Sequence, residues 1–419
     1  MKSAARQWWG WMLFVVSAVM VGCGGEPSAS GANQEARTEP LALRAPARVV
    51  SNRLTQGGRI AAGWYHTVAV LEDDTVWAWG ENTFGQVGDG TNAQRTAPVR
   101  VGELTEVTAV SGGAFHSVAL KADGTVWSWG YNVYGQLGDL TTFARNAPVQ
   151  VDGLTEVTAI AAGGYHSVAL KADGTVWTWG YNGYGQLGDG TDTERAQARR
   201  VPELTGITSI ATGRNHVLAL KDDGTVWIWG DNTFGQLGDG TTVHRFAPVE
   251  VPGLTDVTGV FAGIFHSFAV RQDGTVWAWG YNVYGQLGDG TTLERHAPVQ
   301  VLDLTEITAL AAGGFHTLAL KADGTVWAWG YNGYGQLGDG TDSERSRAAI
   351  VPDFTGVTVV AAGYNHSLAV NADGLVWSWG YNDFGQLGDG TTVHHRSPEE
   401  VTVIEEVPEG VPATSSDLH

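Results

Sequence analysis

The chain has 419 residues and a formal net charge of −20, with 59 glycines, 18 tryptophans and a single cysteine. So acidic a surface repels phosphate backbones and argues against nucleic acid as a partner, and one cysteine cannot form an intrachain disulfide. The length of the chain does not indicate the number of domains here, because a ring of repeats can hold several hundred residues in one unit.

The first 22 residues are typical of an export signal. Lys2 and Arg6 precede an apolar stretch, residues 8–21, that has the length of a signal-peptide core. It ends in M-V-G-C, which resembles a bacterial lipobox and implies that Cys23 becomes the lipidated first residue of the mature protein. We therefore expect a lipoprotein in the bacterial cell envelope, on the outer membrane or cell surface. An ordinary signal peptide and a secreted protein is the alternative.

The segments that flank the repeats are predicted to be flexible. Residues 23–45 are rich in Gly, Ser, Ala, Pro and Glu without an apolar period, which is typical of a disordered tether. Residues 405–419 are acidic and polar and are predicted to form a flexible tail. Contact with a membrane is expected through the lipid anchor only.

Residues 46–404 are dominated by a repeat, D-G-T-V-W-x-W-G-Y-N-x-Y-G-Q-L-G-D-G-T in its cleanest copy. Self-similarity at a fixed period predicts a closed or stacked repeat architecture. The copies recur every 50 residues without insertion, beginning at Asp73, Asp123, Asp173, Asp223, Asp273, Asp323 and Asp373.

Each copy divides into four short strands, which is the plan of a propeller blade. In the third copy we predict strands at 158–162, 166–171 and 175–180, with an outer strand that begins at Pro148 or at its equivalent, Ala198. Asp173-Gly174 predicts a two-residue hairpin with positive φ angles. The third strand alternates a bulky face, with both tryptophans of W-x-W, and a small face, which suits packing between neighbouring sheets. The predicted fold is all-β, a seven-bladed propeller of four-stranded antiparallel blades.

The sequence does not decide how the ring closes. Residues 48–50 and 400–404 both have the character of outer strands, and an open ring would expose two sheet edges. We expect one terminus to complete a blade with the other, without deciding which.

The motif G-x-x-H-[ST]-x-A-[LV], followed by W-x-W-G and N-x-[YF]-G-Q-L-G-D-G, resembles the repeat of the regulator of chromosome condensation family in all seven copies. The resemblance implies a seven-bladed propeller but does not fix an activity. Members that exchange nucleotide on small GTPases at chromatin use insertions and basic surfaces, which this ring lacks. Secreted bacterial relatives that inhibit β-lactamases grip the enzyme with aromatic residues on one face, and their compartment fits this chain better.

Two repeated polar features are interpreted as structural. One histidine per copy, His66 to His366, is held apart from the others by the ring, whereas a metal ion needs converging ligands. Asp-Gly-Thr, as at 189–191, lacks the alternating oxygen ligands of a calcium loop and predicts a turn. No metal site and no cofactor are predicted. No catalytic motif stands outside the repeat, so we predict no enzyme; a hydrolase or lyase with its site at the channel mouth is the alternative.

The loops after the first and third strands of each blade are predicted to emerge on one face, because those strands run in the same direction. Aromatic residues and arginine dominate binding hot spots, and this face is the predicted site for a protein partner, with a glycan-binding or purely structural envelope protein as alternatives. Rings that merely stack on neighbouring blades are a further alternative. The predicted contact residues are Trp64, Tyr65, Phe115, Tyr131, Tyr165, Tyr181, Arg214, Phe265, Tyr281, Phe315, Tyr331, Tyr364 and Tyr381.

A second period of three copies overlies the first. Copies two and five share Y-N-V-Y, copies three and six share Y-N-G-Y, and copies four and seven share T-T-V-H. We infer growth by duplication of a block of three blades, and we predict that blades three and six superpose better than blades three and four.

Overall fold

The computed structural model describes residues 59–71 and 74–401, and these form seven four-stranded antiparallel sheets. The predicted seven-bladed propeller is therefore confirmed. Those residues contain no helix, and hence none that could cross a membrane. The predicted signal peptide, Cys23, the tether, residues 46–58 and 402–404 at the ends of the ring, and the tail lie outside the described residues.

The four strands of each blade follow one another along the chain. In blade order they are β1 (Ile60–Ala62), β2 (His66–Val70), β3 (Val76–Gly80), β4 (Arg95–Arg100); β5 (Val107–Gly112), β6 (His116–Lys121), β7 (Val126–Gly130), β8 (Arg145–Gln150); β9 (Val157–Ala162), β10 (His166–Lys171), β11 (Val176–Gly180), β12 (Arg195–Arg200); β13 (Ile207–Thr212), β14 (His216–Lys221), β15 (Val226–Gly230), β16 (Arg245–Glu250); β17 (Val257–Ala262), β18 (His266–Arg271), β19 (Val276–Gly280), β20 (Arg295–Gln300); β21 (Ile307–Ala312), β22 (His316–Lys321), β23 (Val326–Gly330), β24 (Arg345–Ile350); β25 (Val357–Ala362), β26 (His366–Asn371), β27 (Val376–Gly380) and β28 (His395–Glu400).

The pairing within blade three settles two details of the prediction. β11 pairs with β12, so the outer strand is the one that follows in the chain, near Ala198 and not near Pro148. The expected two-residue hairpin is wrong, because the link between β10 and β11 is longer and of the two turn residues only Gly174 has a positive φ, of 74°. The Asp173 carboxylate instead accepts hydrogen bonds from the Thr175 N–H and hydroxyl, which fixes the turn.

The second tryptophan of each W-x-W pair joins its blade to the preceding one. Trp179 is fully buried among side chains of blade two, and its indole N–H donates to the Gln136 carbonyl at 2.8 Å. Val176, on the small face, packs towards blade four, so the predicted bulky and small faces are confirmed. The same indole-to-carbonyl bond recurs at every blade boundary. Burying one such side chain is worth roughly 1.5–3 kcal/mol.

The repeated histidines complete these boundaries. The Ser117 hydroxyl donates to the Gln86 carbonyl at 2.8 Å, so the His66 Nε2–H donates to the Ser117 oxygen at 2.9 Å. Equivalent bonds link five further histidines to the Ser or Thr of the next blade. The boundary between blades three and four lacks the bond, because Val217 stands where the other copies have a hydroxyl, and His166 Nε2 has no partner there.

The ring closes by the same contacts and without exchange of a strand among the described residues. Blades one and seven each have four strands of their own, so the expected completion of one blade by the other terminus is not found. Instead, the Trp79 indole and the Thr67 hydroxyl of blade one both donate to the Gln386 carbonyl of blade seven, at 2.9 and 3.0 Å. Residues 48–50 and 402–404 lie outside the described residues.

The buried histidines predict a loss of stability in mild acid. Burial lowers the pKa of each of them from 6.5 to about 3. The folded protein therefore stays unprotonated where the unfolded chain takes up protons, and stability is complete above pH 6.5 and falls as pH drops towards 3. The free energy of unfolding should decline by up to about 1.4 kcal/mol per pH unit for each histidine.

Denaturant unfolding between pH 7.5 and 4.5 measures this slope. His116→Gln should make the slope shallower, because it removes one of the seven buried histidines. Equal slopes for wild type and His116→Gln would contradict the account.

Candidate binding face

The loops after the first and third strands meet on one face of the ring, as strand direction predicts. In blade two the Tyr131 N–H donates to the Phe115 carbonyl at 2.8 Å, and in blade three the Tyr181 N–H donates to the Tyr165 carbonyl at 2.9 Å. The same backbone bond recurs in every blade. The Asp-Gly turns, by contrast, belong to the opposite end of the blades, since they link the second strand to the third.

A third set of rings, which the sequence analysis missed, fills the boundaries between these loops. Phe84 of blade one lies 5.5 Å from Phe115 and 4.8 Å from Tyr131 of blade two, measured between ring centroids. Phe84 and its equivalents are the [YF] residues of the repeated N-x-[YF]-G-Q motif, and their place in the loop after the third strand was a usable signal. We call the half-buried rings together the aromatic belt: Tyr65, Phe84, Phe115, Tyr131, Tyr134, Tyr165, Tyr181, Tyr184, Phe234, Phe265, Tyr281, Tyr284, Phe315, Tyr331, Tyr334, Tyr381 and Phe384.

The rings thus stack on neighbouring blades, but this stacking does not bury them completely. Tyr134 lies 4.7 Å from Tyr181 across the boundary of blades two and three, yet both side chains keep part of their surface in solvent. Aromatic pairs of this kind contribute about 0.5–1.5 kcal/mol beyond their buried area. The belt therefore serves packing and also presents aromatic surface to solvent, with a break at blade four, where Asn215 and Asp231 stand in place of rings.

The three-blade period appears in the geometry of the belt. Phe234 lies 5.3 Å from Phe265 and 4.8 Å from Tyr281, which matches Phe84 and its two neighbours 150 residues earlier. Likewise the Tyr184–His244 and Tyr334–His394 pairs are separated by 5.2 and 5.3 Å. The better superposition of blades three and six remains a prediction, but these contacts repeat as it requires.

Two boundaries carry a buried acidic side chain in place of a ring: the boundary between blades three and four, with Asp231, and the boundary between blades seven and one. Glu81 replaces the tyrosine found at this position in most copies, and it is buried beside the belt. Burial raises the pKa of Glu81 to about 7, although hydrogen bonds with Thr83 and Gln86 act in the opposite direction. The seam of the ring thus carries a carboxyl group that is partly protonated at neutral pH.

One residue of each blade, immediately before the belt, surrounds the axis of the ring. We call this set the axial cluster: Trp64, Ala114, Gly164, Arg214, Ile264, Gly314 and Tyr364. Backbone hydrogen bonds run from blade to blade around it, for example from the Arg214 N–H to the Ile264 carbonyl at 3.2 Å and from the Tyr364 N–H to the Trp64 carbonyl at 3.3 Å.

Trp64 was predicted to contact a partner, but its side chain is only 6 % exposed. Its ring reaches across the axis to Tyr165 of blade three, at 6.1 Å, and to the guanidinium carbon of Arg214 of blade four, at 5.6 Å. With so little surface in solvent, Trp64 offers a partner little to contact directly. Trp64 closes the mouth of the central channel.

Below this plug the channel encloses about 240 Å³ and is lined by the innermost strands of all seven blades. Small apolar residues dominate the lining, with Ser111 and Thr212 as polar exceptions, and among the described lining residues only Arg214 is charged. The described lining thus supplies no carboxylate and no imidazole for the general acid and base of a hydrolase or lyase.

The Asp-Gly-Thr segment forms a turn, as predicted. The Asp239 carboxylate accepts hydrogen bonds from the Thr241 N–H and hydroxyl at 2.9 and 2.7 Å, and it pairs with Arg245 at 2.6 Å. These contacts occupy the oxygens that a calcium ion would need. Within residues 59–71 and 74–401, no group of three or more His, Cys, Asp or Glu side chains is arranged to hold a metal ion.

Blade two adds exposed apolar side chains at the outer edge of the same face, and the sequence analysis missed these too. Val133, Leu140 and Phe143 are 52 %, 55 % and 72 % exposed. Leu140 has a φ of 62°, at a position where the other six copies have glycine. A left-handed conformation costs a residue with a side chain roughly 1–2 kcal/mol. Because the Leu140 side chain is exposed, packing in the isolated protein does not offset this cost. We call these three residues the outer rim.

Comparison with known proteins places the ring among established propellers. The sequence profile described as RCC1-like domain matches residues 17–205 and 156–415. Among curated proteins, the ultraviolet-B receptor UVR8 of Arabidopsis thaliana is 46 % identical over 43 residues, which are 10 % of this chain and 10 % of that protein's length.

Solved structures resemble the whole ring. Yeast RCC1 (Prp20), in its structure bound to Kap60, is 22 % identical with a TM-score of 0.71, over 90 % of this chain and 91 % of that one. Human WBSCR16 is 25 % identical with a TM-score of 0.68, over 83 % of this chain and 94 % of that one. The likeness to yeast RCC1 is one of fold.

Proposed function

Because this chain belongs to the RCC1-like domain family, we propose that it is a non-enzymatic propeller that binds a protein partner through the face formed by the aromatic belt and the outer rim. The single observation that carries the proposal is Leu140. It is exposed, apolar and in a strained conformation, on the face where the rings gather. Residues that cost stability and return no packing are found where a surface serves recognition.

The shape of the face favours a protein over a small ligand. Trp64 closes the channel mouth, so the centre of the face offers no deep, open cavity of the kind that encloses small molecules. A broad surface with exposed apolar side chains and tyrosines suits a globular partner. Similar propellers are described with protein ligands: yeast RCC1 is bound to Kap60, and Prp20p of Saccharomyces cerevisiae has described binding properties to Gsp1p and histones.

We further propose that the protein works from a bacterial membrane surface, on the outer membrane or the outside of the cell, through acylated Cys23. The lipobox-like M-V-G-C sequence and the tether of residues 23–45 support this placement. An acyl anchor and some twenty flexible residues would keep the ring near the bilayer while leaving it free to turn.

Mass determination of the mature protein and fractionation of expressing bacteria test the anchor. The chain should begin at residue 23 with added acyl mass and sediment with membranes, and Cys23→Ala should move it to the soluble fraction. A wild-type protein that is soluble, with an unmodified N-terminus, would contradict the anchor but not the binding face.

Photo-crosslinking tests the binding face. A photoreactive amino acid in place of Phe143, incubated with bacterial envelope extract, should yield a covalent adduct with one defined protein. The same substitution at Ile350 should not, since Ile350 is also exposed, at 45 %, but ends an outer strand that leads away from the belt. Adding Leu140→Gly should cut the yield at position 143 about five-fold, because hot-spot truncations cost more than about 1 kcal/mol.

Leu140→Gly also provides its own control, since it relieves a strained position and should keep or raise the melting temperature. Equal adducts from positions 143 and 350, or none from position 143, would refute the proposed face. An adduct that glycosidase treatment releases would support the glycan-binding alternative.

A further inference from the structure

Arg214 differs from the arginines that recur in the repeat. In six copies an arginine at the start of the outer strand pairs with the aspartate of the Asp-Gly-Thr segment, or of Asp-Leu-Thr in copy two, as Arg295 does with Asp289 at 2.7 Å. Arg214 makes no ion pair with any described residue, and its Nε is buried without a hydrogen-bond partner. It is also the one basic residue of the axial cluster.

Aromatic side chains hold the Arg214 guanidinium at the centre of the belt. Its carbon lies 5.6 Å from the Trp64 ring and 5.8 Å from the Phe265 ring. A Cβ added at Gly164 would come within 3.0 Å of the Arg214 Cγ, so the glycine leaves room for the arginine stem. Aromatic rings at these distances orient a guanidinium while leaving its N–H donors available.

Two phenols share this environment. Burial raises the pKa of Tyr165 and of Tyr364 to about 12, while the charge of Arg214 opposes the rise in both. Both hydroxyls are therefore protonated at neutral pH and lie within the field of the guanidinium. Phenol and guanidinium groups supply hydrogen-bond donors, and a carboxylate supplies only acceptors.

We propose that Arg214, whose guanidinium lies against the same Trp64 ring as Tyr165 and Tyr364, receives one aspartate or glutamate side chain carried on a loop of the protein partner. This inference rests on the proposed function, because the belt surrounds Arg214 and a group that reaches it must belong to a surface lying on the belt. The net charge of −20 repels free anions. A carboxylate held by a docked protein overcomes that repulsion through the contacts its carrier makes.

A role in plugging the channel does not by itself account for an arginine here. Ile264, the neighbouring residue of the axial cluster, is buried at 7 % exposure and fills its place with apolar atoms. A guanidinium at the equivalent position of blade four adds only a modest cation–π energy, about 0.5–1 kcal/mol at partly exposed sites. Its buried Nε then remains unbonded, which is a cost. A carboxylate ligand would leave Nε as it is but would supply the ionic partner that Arg214 lacks among the described residues, as a bidentate, charge-assisted pair with its terminal nitrogens.

The probe for this proposal is a phage library of disulfide-closed, seven-residue random loops, selected on the full chain. Loops selected on the wild type should carry an acidic residue at one position more often than the starting library does, and selection on Arg214→Gln should lose that preference. Arg347→Gln is the matched control. Its exposed guanidinium pairs with Asp303 at 2.8 Å outside the belt, and the preference should persist there.

A double-mutant cycle on the best loop gives the quantitative test. Changing its acid to the amide, or Arg214 to Gln, should each weaken binding about ten-fold to a hundred-fold, as expected for hydrogen bonds between charged groups. Both changes together should weaken it no further than one alone. Arg214→Lys, which keeps the charge without the planar fork, should fall between, and it carries the test if Arg214→Gln unfolds.

Three results overturn the inference: no acidic preference on the wild type, the same preference on Arg214→Gln, or additive losses in the cycle. Selection on a Leu140→Gly, Phe143→Ser variant separates the two proposals. Loops that need these outer-rim residues but ignore Arg214 refute the carboxylate receptor alone. Loops that bind this variant as well as they bind the wild type refute both the binding face and the carboxylate receptor.

Discussion

The indole-to-carbonyl hydrogen bond between neighbouring blades is the interaction on which the ring depends. It buries a whole tryptophan, as at Trp179, and it places the Gln136 carbonyl where a serine hydroxyl can also reach it. Because the same bond joins blade seven to blade one, the circle closes without a special element among the described residues. Even the missing hydroxyl at Val217 leaves the indole bond of that boundary in place.

A scaffold secured this way leaves the loops on one face free to differ. Positions such as Trp64, Arg214 and Leu140 depart from the repeat without disturbing the buried boundaries beneath them. The aromatic belt lies between the buried boundaries and the variable loops, since its rings stack across boundaries and still face solvent. Most residues on this face can therefore vary at little structural cost, and Leu140 is the exception, because its left-handed backbone lowers stability.

The fold could be predicted from the sequence because a period of 50 residues indicates a repeat architecture directly, and the alternation in W-x-W indicates how the blades pack. The site was accessible only in part. Strand direction correctly predicted that the loops with Tyr65 and Tyr131 share one face, but the strict repetition of the N-x-[YF]-G-Q motif obscured Phe84 and its equivalents, and no local pattern shows that Trp64 lies across the axis from Arg214. Closure and the left-handed Leu140 depend on contacts between distant blades and on backbone angles, which spacing does not encode.

Hydroxyl-radical footprinting of the protein in its native envelope, compared with the purified chain, tests most directly whether the belt face is covered by a partner. The account predicts that Phe143, Tyr131 and Tyr281 react less in the envelope, whereas Trp127, partly exposed near the other end of its blade, reacts equally in both. Equal reactivity of the belt in both samples, or protection of Trp127 instead, would contradict it.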